Sequence, residues 1–225
     1  MLTIGEKIKI IEEKIEKAKT RAARTGTVRI VAVTKTVQVE KIENSLNFGI
    51  TDIGENRIQE AEIKLPLLPK YKIKKHFIGH LQTNKAKKAV LLFDVIQSVD
   101  SFRLLEEINR QAENIKKAQD CLFEIKVSEE NAKYGINPES LEELLEKSKS
   151  LKNVRMLGLM AIAPFFENPE SARPYFRMAY KYYSLLTTRY SLSYLSMGMT
   201  GDYEIAVEEG SNMVRIGTGI YGDKI

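Results

Sequence analysis

Eight short β-rich runs recur along this chain, each followed by a segment of helical character. That alternation limits the fold more than any other feature. The runs cover 28–33, 51–53, 74–78, 94–98, 121–127, 154–159, 193–197 and 212–216. Helical patterns occupy 39–46, 56–64, 83–91, 101–117, 138–149, 169–186 and 203–209, and Pro138 and Pro169 suit helix starts. Successive runs begin roughly 20 to 40 residues apart, room for the crossover helix that parallel strands require. Ahead of them, Ile4, Ile8, Ile11, Ile15, Ala18 and Ala22 make one apolar stripe along a further helix, which Thr25-Gly26-Thr27 ends. The expected fold is α/β: a single-domain (β/α)8 TIM barrel over 1–225. Its extra N-terminal helix closes the bottom or packs outside. The rival, an open doubly wound sheet, wants a glycine-rich fingerprint after its first strand. That strand instead ends Ala32-Val33-Thr34-Lys35-Thr36.

Composition narrows the setting. The longest nearly apolar stretch, 156–166, contains Gly158 and Pro164 and falls short of the roughly 20 residues a bilayer takes. Glu6, Lys7 and Lys9 interrupt any secretory pattern. Cys121 is the only cysteine, which rules out an internal disulfide and a zinc cluster. A cytoplasmic protein without a membrane partner is expected. The net charge is +5, yet lysine and glutamate interleave as on a solvated surface. No arginine-rich arm or aromatic-basic alternation points to nucleic acid, so none is expected as a partner. His76 and His80 share a strand face but lie about 13 Å apart at about 3.3 Å per residue, too far for one metal ion. Cys121 reads as packing, and so does the aromatic group Tyr175, Phe176, Tyr180, Tyr182 and Tyr183.

In such a barrel, chemistry gathers where the strands end. Lys35 follows the first run; Glu55, Asn56 and Arg57 follow the second; Gly79 and His80 the third. Ser98 and Asp100 end the fourth. Ser196, Gly198 and Thr200 end the seventh; Arg215, Gly217, Thr218 and Gly219 end the eighth. Glu55 is expected to pair with Arg57 or cap the next helix. Closure would set Lys35 beside Arg215, 180 positions away. The last two loops are the usual phosphate place in this architecture, and glycines with Ser196 and Thr218 supply donors there. A lysine in a partly desolvated mouth, next to a guanidinium, is favoured as a neutral amine that attacks an aldehyde. An amine beside a phosphate cup suits pyridoxal 5′-phosphate (PLP), with Arg215 the candidate for its pyridine nitrogen. A phosphate-binding barrel enzyme using Lys35 on its own substrate stays open at this point.

Several blocks carry a resemblance in chain order. They are Ala32-Val33-Thr34-Lys35, Gly54-Glu55-Asn56-Arg57, His76-Phe77-Ile78-Gly79-His80-Leu81-Gln82-Thr83-Asn84-Lys85, Ser98-Val99-Asp100-Ser101, Leu195-Ser196-Met197-Gly198-Met199 and Val214-Arg215-Ile216-Gly217-Thr218. Over nearly its whole length the chain closely resembles the pyridoxal phosphate homeostasis proteins, which share the barrel of the alanine racemase N-terminal domain. The resemblance implies PLP held as a Schiff base on Lys35. It implies a phosphate held by Ser196, Gly217 and Thr218, and Arg215 facing the pyridine nitrogen. Asn56 and His80 are implied to line the pocket. Thr200 stands where serine is common, and Ala161 where threonine is common. The implied role is cofactor buffering and delivery with no robust catalysis, as a monomer or weak dimer. Apo-enzymes that use PLP are the implied acceptors. The competing expectation is a PLP-dependent amino-acid racemase. Such enzymes add a tyrosine base from a second domain, for which these 225 residues leave no room.

Overall fold

In the computed structural model, which describes residues 2–128 and 134–222, the β-rich runs become eight parallel strands paired in chain order. They are β1 (Arg29–Val33), β2 (Asp52–Glu55), β3 (Lys74–Phe77), β4 (Val95–Val99), β5 (Gln119–Ile125), β6 (Val154–Ala161), β7 (Tyr194–Met199) and β8 (Met213–Ile216). β8 pairs with β1, so the sheet closes as a barrel. The helices are α1 (Ile4–Arg21), α2 (Val39–Asn47), α3 (Ile58–Lys64), α4 (Ala86–Leu92), α5 (Phe102–Asn114), α6 (Leu141–Ser148), α7 (Arg173–Tyr190), α8 (Tyr203–Glu208) and α9 (Thr218–Tyr221). Pro138 and Pro169 each open a short 3-10 turn leading into α6 and α7.

Alternation along the strands divides two cores. Ile96, Cys121 and Phe123 face outward into the layer shared with α4, α5 and α7, alongside Phe77, Phe93 and Phe176. Their neighbours Val95 and Leu122 join Met160 in a small apolar plug inside the barrel. Cys121 is wholly buried, which pushes its thiol far up and leaves it a packing residue. The tyrosines of α7 pack partly buried against the outer core.

The N-terminal helix settles outside. α1 starts with a capping box between Thr3 and Glu6 and buries Ile8, Ile11, Ile15 and Ala18. Its stripe lies against α2, α8 and α9. The lower end of the barrel is filled by charge instead. Asp52 and Asp120, both buried, meet Arg29 at 3.6 Å, Lys74 at 3.6 Å and Arg155 at 2.6 Å. Arg29 and Lys74 also lie over the Tyr194 ring.

Several element ends differ from the expected ones by a few residues. β2 runs on through Gly54 and Glu55. α5 stops at Asn114 because Lys116 turns left-handed, and Lys117 then reaches back to the carbonyls of Val90 and Phe93 at 2.7 and 2.6 Å. α9 is an unexpected short helix after Gly217. Among the described residues no helix is long and apolar enough to cross a membrane.

Candidate functional site

Barrel closure assembles the site from the two ends of the sequence. Val31 pairs with Arg215 and Ala32 with Ile216, so the chain leaves β1 and β8 at one rim. Lys35, Arg215, Gly217 and Thr218 line a cavity of about 240 Å³ there. Val33, Phe165, Phe166, Met199, Thr200, Gly201 and Asp202 complete most of its wall. The expected meeting of Lys35 and Arg215 is therefore observed. Lys35 itself is exposed at the lip, not sunk in a desolvated mouth, because it sits beyond the last paired residue of β1.

A partly buried ionic strap holds the Lys35 loop. Lys64 of α3 donates to the Thr34 carbonyl at 2.7 Å, to Glu60 at 2.9 Å and to Glu55 at 3.2 Å. Glu60 in turn accepts the Thr36 N–H at 2.8 Å, and Thr34 Oγ1 donates to Glu55 at 2.6 Å. Thr36 takes a left-handed φ of 60°, so the turn needs such anchoring. Glu55 therefore serves this strap. It does not pair with Arg57 or cap α3, because the extra length of β2 carries it into the interior. Burial pushes its carboxyl up, against the opposing hydrogen bond of Thr34 and charge of Lys64.

Arg215 is 4% exposed. One of its terminal nitrogens donates to the Ser196 carbonyl at 2.9 Å and to Ser196 Oγ at 2.7 Å; the other donates to the Ala161 carbonyl at 2.9 Å. A guanidinium has five N–H groups, so two remain without a partner among the described residues. Burial lowers its pKa to about 10, with Glu124 and Asp202 acting in the opposite direction, and it stays a cation at neutral pH. Burial also raises Glu124 to about 7; Arg215 opposes that shift and Asp100 adds to it.

The remaining expected site residues separate. The Ser196 hydroxyl is inside the barrel, fully buried, donating to Gln97 while accepting from Arg215. It is absent from the cavity wall. The reason is local: the β7–β8 register breaks between Ser196 and Met199, where Gly198 adopts a φ of 91°. Beyond that break Thr200 reaches the wall. Its Oγ1 accepts the Gly219 N–H at 3.2 Å and keeps its own proton free to donate. Asn56 and His80 lie at the ends of β2 and β3 and are not in that wall either. Asn56 Oδ1 is buried with no partner. His80 is exposed, stacks on Tyr134 at 3.6 Å between ring centroids and lies 3.4 Å from Asp100. Thr200, Asp202 and the Phe165–Phe166 pair are the wall residues not expected as ligand groups. Thr200 had a signal as a hydroxyl at a departure from a common serine.

An amine, a guanidinium with free N–H groups, two hydroxyls and flanking glycines share this wall. That donor set suits a ligand with a carbonyl, a ring acceptor and an anionic group. Residues 8–225 match the family model described as alanine racemase, N-terminal domain. The pyridoxal phosphate homeostasis protein of Aquifex aeolicus is 41% identical over 222 residues, covering 97% of both chains. The chain belongs to the pyridoxal phosphate homeostasis protein family. The solved PipY of Synechococcus elongatus without PLP superposes with a TM-score of 0.88 at 31% identity, covering 98% of this chain and all of PipY. PipY has also been solved with PLP bound, and this second form superposes at 0.83. Alanine racemase of Clostridium difficile shares the fold at a TM-score of 0.73 and 16% identity; this chain covers 55% of it.

Proposed function

We propose that this protein holds pyridoxal 5′-phosphate as a Schiff base on Lys35 and serves intracellular PLP homeostasis by buffering and delivering the cofactor. The observation that carries the reading is the single cavity that joins Lys35 to Arg215, Gly217 and Thr218. The solved relative with PLP supports it. When bound, PLP supplies an aldehyde for reversible imine exchange and a ring that accepts electrons. Lys35 provides the amine. Thr200 and Thr218 donate to the phosphate together with the Gly217 segment, and Thr200 takes the place expected of Ser196. Arg215 turns a free N–H toward the pyridine nitrogen. A guanidinium that stays cationic does not hand that nitrogen a proton, so the ring remains a weak electron sink. The exposure of Lys35 favours exchange with an incoming amine.

Robust catalysis is not part of this reading. A racemase needs proton-transferring groups on both faces of the ring. Besides Lys35, the described wall offers Asp202, whose carboxylate accepts the Met199 N–H at 2.6 Å. Asn56 and His80 stand at the neighbouring strand ends, and we assign them to the outer rim of the pocket. The acceptors are apo-enzymes that use PLP, the setting is the cytoplasm, and the chain works as a monomer or weak dimer.

The test is a visible spectrum of the purified protein, borohydride reduction and mapping of the modified peptide. A pyridoxyl group on Lys35, lost in Lys35→Ala, is expected. A colourless protein without that adduct overturns the proposal. Efficient incorporation of solvent deuterium at Cα of L- or D-amino acids would replace the carrier role with racemase activity.

A further inference from the structure

Four buried hydrogen bonds run from Arg215 at the barrel mouth to Asp52 at its floor. Arg215 donates to Ser196 Oγ at 2.7 Å, and Ser196 donates to Gln97 Oε1 at 2.7 Å. Gln97 Nε2 lies 2.9 Å from His76 Nδ1, and His76 Nε2 lies 2.9 Å from Asp52 Oδ1. Ser196 is on β7 and Gln97 on β4, strands that are not neighbours in the closed sheet, so this link crosses the lumen. All five residues are at most 4% exposed.

The chemistry of the groups gives the chain one direction. A guanidinium only donates, so Ser196 Oγ accepts from it and passes its own proton on. Gln97 receives that proton on its carbonyl oxygen, which leaves its NH2 toward β3. The same NH2 lies 3.3 Å from the Met213 sulfur, an acceptor, in agreement with that amide orientation. His76 Nδ1 must then accept, and its proton sits on Nε2 facing an acceptor-only carboxylate. Asp52 accepts from Thr51 at 2.7 Å and lies 3.6 Å from Arg29. Burial pushes its carboxyl up, but the bonds from His76 and Thr51 and the charge of Arg29 hold it below the usual range. Reversing any one member would set donor against donor or acceptor against acceptor in the interior.

We infer that Ser196, Gln97 and His76 are positioning residues: an oriented relay anchored on Asp52 that holds the Arg215 guanidinium in one rotation at the mouth. The ligand in this inference is that of the proposed function, which it deepens; the relay itself exists without ligand. Its consequence is that two Arg215 N–H groups stay committed to the cavity, and that a change at Gln97, on the far wall, reaches the ligand.

Nitrogen NMR of the ligand-free protein tests the relay alone. His76 should carry its proton on Nε2, and Arg215 should give separate terminal N–H signals because its rotation is blocked. Ser196→Ala and Gln97→Met should merge those Arg215 signals, and Gln97→Met should let the His76 proton redistribute to Nδ1. A proton on Nδ1 in the wild-type protein, or Arg215 signals unchanged in both variants, overturns the inference. PLP titration is the second readout. Both variants should still be labelled at Lys35 but bind PLP about tenfold more weakly, the scale of losing one buried charge-assisted bond. Unchanged affinity overturns the positioning role. Absence of any adduct in the wild type overturns the proposed function and is a separate result from the NMR.

Discussion

Lys35 sits at the exposed lip, past the end of β1, and no other residue packs its side chain into the core. Lys35→Ala should therefore abolish borohydride-trapped PLP and leave the unfolding free energy within about 0.5 kcal/mol of wild type, measured by denaturant titration. Glu124 is the opposite case. Its carboxyl is raised to about 7, mainly by burial. Between its unfolded value near 4.5 and 7 the native state binds more protons than the unfolded state. Its contribution is complete below pH 4.5 and is lost as pH rises through 7. Glu124→Gln should flatten that fall, gaining on the order of 2 kcal/mol relative to wild type at pH 8 in urea titrations. Retention of the full pH slope in the variant would contradict the assignment. At this scale the polar groups of the cavity wall were only partly legible in sequence. Lys35, Arg215, Gly217 and Thr218 follow from strand ends and closure. Thr200 rather than Ser196 lines the cavity because the break at Gly198 is a backbone event with no fixed sequence sign.

The elements that hold the Lys35 turn are β2 and α3, joined by Lys64. Removing that amine leaves Glu55, 1% exposed, without its counter-charge. Lys64→Met should cost about 3–5 kcal/mol. Adding Glu55→Gln should recover a good part of it, a coupling that a double-mutant cycle in guanidinium reads directly. Additive losses would mean the strap is not a unit. α1 offers a smaller test: Thr3→Ala removes the capping box and should lower stability by about 1 kcal/mol in the same assay. The periodic helices and β-rich runs were readable because their spacing is local information. The strap was not, since it depended on β2 ending two residues later than expected. The relay was hidden for a related reason. In sequence His76 bears only on a metal role and Gln97 carries no signal, and only the closed barrel brings Gln97 and Ser196 together across the lumen.

For the whole molecule, closure depends on close backbone approaches between neighbouring strands. A Cβ on Gly158 would lie 1.8 Å from the Tyr194 carbonyl oxygen, where β6 meets β7. Gly158→Ala should force those strands apart and destabilise the barrel by more than about 3 kcal/mol, seen as loss of the cooperative thermal transition or a large drop in its midpoint. A variant as stable as wild type would show that the β6–β7 seam is slack. The eight-stranded architecture was legible from alternation alone, but the placement of α1 was not: its stripe fits a floor or a flank equally well. Burial of charge by Asp52 and Asp120 at the floor decides it. The pairing of β1 with β8 also has a temporal consequence. Lys35 and Arg215 are 180 positions apart in the chain, and the loop that must close between them is the longest in the site. Until β8 docks on β1, the amine has no guanidinium beside it. Under the proposed function, capture of the cofactor then reports that the barrel has closed, and a partly folded chain has nothing with which to sequester it.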